Sequence, residues 1–332
     1  MNKSEHQQAA RIEWIDLAKG FCIILVVLHH VCQAIGATYP LWLQANSFRM
    51  PLYFILSGLF FKQYEGFKGF LRRKTNKLLI PFLFFFLLTS VLPFAVLEHG
   101  FSLPLLFTYR EIIYNVPIWF LLCLFEINIL FYLIQWFVNT LIPKGCTALV
   151  IAIAFALGVV GMCLGVYQVQ LPLYCDTALS ALPLFVFGWW LNRKTSFLRQ
   201  PSRWVDLLII VACAVVIGLF AAPIQWLLNS FTRESVWFVY LCGIAGTVMV
   251  LLISRFLKHL PLVSYWGRYS IIILCTHFPI ANVLSALLSR VMHGTMLLVV
   301  ALALTMAVCH LLIPLMRKFL PYFTAQKDFF RL

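Results

Sequence analysis

Apolar residues in this chain run in long blocks, separated by short segments that hold most of the charge and many of the Pro and Gly residues. Crossing the hydrocarbon core of a bilayer takes about 20 apolar residues in a helix. Divided at the charged and Pro/Gly-marked segments, the sequence predicts ten such helices. They cover 13–36, 41–61, 78–97, 117–138, 146–167, 177–192, 204–222, 236–254, 270–289 and 295–316. Arg49 and Pro51 interrupt the second, and the sixth is short. No polar stretch between blocks has room for a soluble domain. The expectation is therefore an all-α, polytopic membrane protein in which residues 1–332 form one membrane domain with no soluble catalytic domain. The first block is flanked by Asp16 and Lys19 and lacks a small-residue cleavage site, so it is expected to stay as a span rather than act as a signal peptide. No repeat relates the two halves, which weighs against a transporter built from inverted repeats.

Composition agrees. Of the 332 residues 63% are apolar and 11% charged, with a mean hydropathy of +0.94. Soluble domains run at roughly 45–50% and about 25%. That gap excludes an ordinary soluble enzyme, a disordered chain, a coiled coil and a collagen-like repeat. The net charge of +14 raises the question of a nucleic-acid partner, and the placement of the charge answers it. With ten spans, 21 of the 25 Lys and Arg residues fall on the side of the N-terminus. Only Arg49, Arg110, Arg233 and Arg290 fall on the other. Cytoplasmic loops retain Lys and Arg, so both termini are expected in the cytoplasm and no nucleic acid is needed. The ten cysteines lie mostly inside apolar blocks, with no CxxC or zinc spacing, and are expected to be packing residues rather than metal ligands.

Polar residues inside apolar blocks carry the candidate chemistry, because an ionisable group there is costly and usually faces the bundle interior. In the first block Lys19 and His30 are eleven residues apart. That separation is three turns plus about 20°, which places them on one helix face roughly 16 Å apart. Asp16 shares nearly the same stripe, whereas His29 points about 100° away. An imidazole is well suited to proton transfer near neutral pH, and a Lys three turns below it suits an anionic ligand. The plainer reading is an interfacial Asp16–Lys19 pair and a hydrogen-bonded structural His30. In FRMPLYFILSGLFF, Pro51 loosens a helix and Ser57-Gly58 permits close helix packing. Six of the sixteen residues from 62 to 77 are basic. Such a run obeys the positive-inside rule and meets anionic lipid, and its density also suits phosphates. Glu126, His277 and His310 are further intramembrane polar points. There is no P-loop, dinucleotide fingerprint, HExxH or GxSxG motif.

Five segments, in order, resemble the acyltransferase-3 family of membrane O-acyltransferases, nearest its fucose-4-O-acetylase-like branch. IDLAKGFCIILVVLHH resembles the family's basic-residue, ten-spacer, His element, with Lys19 and His30 at the two positions. FRMPLYFILSGLFF resembles its Met-Pro and Ser-Gly element, with Arg49 where many members carry His. FLRRKTNKLLIPF resembles the basic loop, PIWFLLCLF the Trp-Phe element, and WGRYSIIILCTHFPI the Gly-x-x-Ser … His segment. The resemblance implies an acyl-CoA co-substrate, usually acetyl-CoA, used from the cytoplasm, with no bound cofactor. It implies an acceptor hydroxyl on a sugar of a surface or secreted glycan, lipid-linked or polymerised. It further implies a multi-pass protein of a bacterial cytoplasmic membrane.

The sites expected on these grounds are His30 and Lys19 for catalysis, with Lys19, Arg72, Arg73 and Lys77 holding coenzyme A. Asp16, Arg49, Ser57, Gly58, Trp119, Glu126 and His277 are expected to bind the acceptor or orient His30, and no metal is expected. Lacking a soluble domain, the chain would complete transfer within the membrane, hand the acyl group to a separate partner, or work as a homo-oligomer. The rival expectation is a proton-coupled transporter or flippase of a sugar-containing substrate, in which intramembrane Lys, His and Glu form a proton relay.

Overall fold

The structure, a computed structural model, describes residues 12–64, 66–91, 113–142, 145–194, 203–222 and 224–330. Among them are eleven helices and no strand. They are α1 (Glu13–Ile35), α2 (Trp42–Leu59), α3 (Gly66–Val91), α4 (Trp119–Leu141), α5 (Thr147–Val166) and α6 (Cys175–Lys194), followed by α7 (Trp204–Phe220), α8 (Val236–Leu257), α9 (Pro261–Arg268), α10 (Ser270–Leu288) and α11 (Gly294–Phe319). Each of the ten expected segments holds one of these helices. Seven, namely α1, α3, α4 with its leading turn, α5, α8, α10 and α11, are long and apolar enough to cross a membrane. The protein is an all-α polytopic membrane protein. Of the tallied basic residues, Lys3, Arg11, Arg110, Lys144, Arg199 and Arg331 lie outside the described residues.

The third expected helix differs most from its sequence reading. It begins at Gly66, so the basic run is itself helical and continuous with the apolar part. Two widened π-type turns, at Thr75–Leu79 and Leu87–Val91, flank its central stretch. Pro81 has no N–H to give the carbonyl four residues back, and a local change of helical pitch is the usual accommodation.

Lipid tails supply no hydrophobic drive between helices, so close packing of small residues takes over. Gly58 of α2 faces the carbonyl of Phe185, and Gly188 of α6 faces that of Ile55, with no room for a Cβ at either. Gly20 of α1 and Gly267 of α9 make the same kind of crossing, against Val263 and Asp16. These contacts make α1 central, packed by α2, α8, α9, α10 and α11, while α6 joins α2 to α4 and α5. A buried ion pair, Arg255 Nη2 to Asp206 Oδ2 at 2.7 Å, ties α7 to α8.

The two ends of the bundle differ. At one end Lys19 and Lys74 stand over the neighbouring rings of Phe60 and Phe61. Arg317, near the end of α11, lies over Tyr269 at the start of α10. The chain after α11 returns across α3 at this same end: Lys77 Nζ meets Asp328 Oδ1 at 2.9 Å. Asn76 both donates to and accepts from the backbone of Phe330. The start of α1 and the C-terminal segment therefore share one end.

Candidate functional site

The other end of α1 holds a cavity of about 350 Å³. Its wall comes from the last turns of α1 (His29, His30, Gln33) and the first half of α2 (Trp42, Asn46, Arg49). The turn leading into α4 (Val116, Pro117), Trp119 at the start of α4, the segment 224–227 and Leu274 of α10 add to it. Gly36, left-handed at φ 65°, ends α1 less than two turns beyond His30 by returning its N–H to Cys32 and Gln33 carbonyls. This lets the chain fold back so that α2 covers the His30 turn. The Cys22 thiol of α1 donates to the Arg49 carbonyl of α2 at 2.9 Å.

His30 is oriented on several sides. Its Nδ1 lies 2.9 Å from Gln33 Oε1, one turn on. An amide oxygen only accepts, so this contact places the proton on Nδ1 and leaves the Nε2 lone pair free. The ring packs edge-on against Phe278 and tilted against His277, at centroid separations of 5.1 and 5.3 Å. His277 is fully buried and gives its Nδ1 proton to the Ile273 carbonyl at 2.7 Å. Its Nε2 consequently also carries a lone pair, and that atom has no hydrogen-bond partner. His29 stacks on Trp42 at 4.4 Å.

The cavity wall is poorly satisfied on its own. His29 Nδ1, Asn46 Oδ1, Arg49 Nη1 and Trp226 Nε1 are buried without hydrogen-bond partners, and all four residues line the cavity. Native proteins pair nearly all buried polar groups. Unpartnered atoms occur elsewhere in the protein too, but here four of them share one cavity with three indoles, a lining that suits a polar ligand.

Of the expected site residues, the structure brings His30, Arg49 and Trp119 into this cavity, with His277 directly behind His30. The others lie elsewhere. Asp16 and Lys19 pair at 3.9 Å near the opposite end of α1. Tyr53 Oη donates to the Lys19 carbonyl there. Ser57 and Gly58 sit at the α2–α6 crossing, where Gly58 serves close packing. Glu126 accepts the Tyr174 backbone N–H with both oxygens at 3.3 Å, just before α6. Arg72 lines an open groove with Lys68 and Phe330, and Arg73 stacks on Tyr64. Lys77 is engaged by Asp328 and the Ala325 carbonyl.

Sequence reasoning missed Gln33, Trp42, Asn46 and Trp226. Gln33 had a signal, one helical turn after His30. Nothing in the local pattern marks the other three, which join the site through chain reversals. His29, expected to point away from the His30 face, lines the cavity too, because α2 wraps across that side. Among the described residues, no group of His, Cys, Asp and Glu is arranged to hold a metal ion, and all ten cysteines are free thiols.

The sequence model of the acyltransferase-3 family, described as an acyltransferase domain, matches residues 12–314. That span contains every element of the cavity. The chain belongs to the acyltransferase-3 family. Among curated proteins nothing matches, and no solved structure matches either. Membership makes this chain a membrane acyltransferase, and within such an enzyme the His30 cavity is the strongest candidate for the place of reaction.

Proposed function

We propose that the protein moves an acyl group, acetyl in the first instance, from acyl-CoA to a hydroxyl of a sugar in a surface or secreted glycan, across a bacterial cytoplasmic membrane. One observation carries this: His30, its Nδ1–H donating to Gln33 Oε1, lines a cavity rich in indoles and unsatisfied polar atoms. Indole faces and neutral polar groups suit a sugar ring, which presents C–H faces and hydroxyl edges. The free Nε2 suits a general base.

In the proposed reaction His30 Nε2 takes the acceptor hydroxyl proton as that oxygen attacks the thioester carbonyl. The tetrahedral oxyanion collapses, the C–S bond breaks, and the proton passes from His30 to the departing thiolate. Asn46 and Trp226 are placed to hold the acceptor, and His277 supports the His30 ring from behind. Coenzyme A phosphates fit the basic end, where Lys19, Arg72 and Arg73 stand. The roughly 16 Å between Lys19 and His30 along α1 is a distance that an extended pantetheine arm bridges.

The test is transfer from labelled acetyl-CoA in membranes carrying wild type or His30→Ala at matched levels. Label is expected in glycan with wild type, falling about 100-fold or more in the variant, within the range for loss of a general base. Full transfer by correctly inserted His30→Ala protein would remove His30 from the chemistry. A transporter would show no stabilisation by coenzyme A, whereas an enzyme that binds its donor only when folded is stabilised by mass action.

A further inference from the structure

Resting on the acceptor reading above, we infer that the sugar taken by this cavity is acidic: a carboxylate or phosphate beside the acceptor hydroxyl pairs with Arg49. A guanidinium keeps its charge in proteins, and burying it unpaired is strongly disfavoured. Arg49 nevertheless lines the cavity with Nη1 buried and unpartnered. No Asp or Glu is among the described residues lining the wall, where its charged and titratable companions are His29 and His30. Three described carboxylates have partners of their own. Asp16 lies by Lys19, Glu126 holds the Tyr174 N–H, and Asp206 holds Arg255.

A cation held in place without a counter-ion, beside acceptors and indoles that suit a sugar, is completed by an anionic group on the ligand. Arg pairs with a carboxylate or phosphate through two parallel hydrogen bonds, which adds geometric selection to attraction. Asn46 Oδ1 and Trp226 Nε1, an acceptor and a donor on the same wall, would then read hydroxyls of the same ring.

The experiment uses the full chain in nanodiscs of neutral lipid, following the thermal midpoint at fixed ionic strength. Sodium glucuronate, glucose 1-phosphate, glucose, sodium acetate and coenzyme A are each titrated to about 100 mM, or to solubility, with wild type, Arg49→Gln and Arg49→Lys. The expected result is binding of glucuronate or glucose 1-phosphate about tenfold or more tighter than glucose or acetate, as a charge-assisted hydrogen bond allows. The preference should vanish in Arg49→Gln and survive in part in Arg49→Lys. Which of the two acidic sugars binds tighter distinguishes a uronate from a sugar phosphate.

Equal response to glucose and to both acidic sugars in wild type overturns the inference, even if neither variant folds. So does an acidic preference that persists in Arg49→Gln, acetate matching the acidic sugars, or no response to either at the highest concentration. A coenzyme A response lost in Arg49→Gln would assign Arg49 to the donor and also overturn it. Acetyl transfer to a neutral glycan, unchanged by Arg49→Gln, would sink this inference while leaving the acyl-transfer reading standing. Absence of both transfer and a coenzyme A response would sink that reading instead.

Discussion

At the scale of single residues the site turns on which nitrogen of His30 carries a proton. Gln33 decides it by presenting Oε1 to Nδ1 at 2.9 Å. Reversal of that amide would turn His30 Nε2 from a base into a donor. Nitrogen-15 NMR of labelled histidine reads the tautomer directly, and the Nδ1–H form is expected in wild type. Gln33→Leu should mix the two tautomers and lower kcat roughly tenfold, with little change in the KM for acyl-CoA. Gln33→Glu, which can still accept the Nδ1 proton, should keep most of the rate. An Nε2–H signal in wild type would refute the assignment. His30 stood out in the sequence because an imidazole inside an apolar block is expensive. Gln33 did not, because a Gln near a helix end is ordinary and only its reach to His30 gives it meaning.

At the scale of elements, the crossing of α2 and α6 holds the His30 cover in place. Gly58 and Gly188 face each other's helix backbones so closely that a Cβ would overlap a carbonyl at either. Gly58→Ala should therefore cost about 1–3 kcal/mol of stability through overpacking, seen as a lower thermal midpoint in detergent. Gly218→Ala in α7, where a Cβ meets open space, is the control and should leave the midpoint nearly unchanged. Equal effects would mean that the crossing is not the constraint. The Ser57-Gly58 pair was legible as a close-packing signal, though its partner helix was not. The basic run entering α3 was legible as cationic. Its helical continuity with the span was not, because the Pro81 signal could equally have marked a break.

At the scale of the whole molecule, the C-terminal segment folds back on the basic end. The ion pair between Lys77 and Asp328 is a third exposed on each side, so solvent screening limits it to about 0–1 kcal/mol. Asn76 is itself buried and bonded in both directions to Phe330. Replacing it should cost more, about 1–3 kcal/mol, as for a buried polar pair left half made. Limited proteolysis checks this: Asn76→Ala should expose cleavage sites beyond residue 320, and Asp328→Asn should change the rate little. The reverse ranking would mean that the ion pair, not the buried amide, holds the segment. Charge density and the resemblance to the basic loop group Lys77 with Arg72 and Arg73, and the fold gives its ammonium partners within the chain.

By itself the sequence determined that lipid is the solvent, roughly where the helices lie, and which apolar blocks hold polar side chains. Those properties follow from local physics: a hydrocarbon core demands apolar length and internally satisfied backbone, and it makes each buried ionisable side chain conspicuous. Only the tertiary structure decided what meets what. His29, His30 and Gln33 come from one helix end, Asn46 and Arg49 from the next helix, Trp119 from a helix start some seventy residues on, and Trp226 from a segment a further hundred residues away. Nothing periodic links them, because the contacts that assemble the cavity are made by backbones crossing at glycines and by chains doubling back at helix ends. The unpartnered Nη1 of Arg49 became visible in the same way, once the described residues lining the cavity were seen to include no acid.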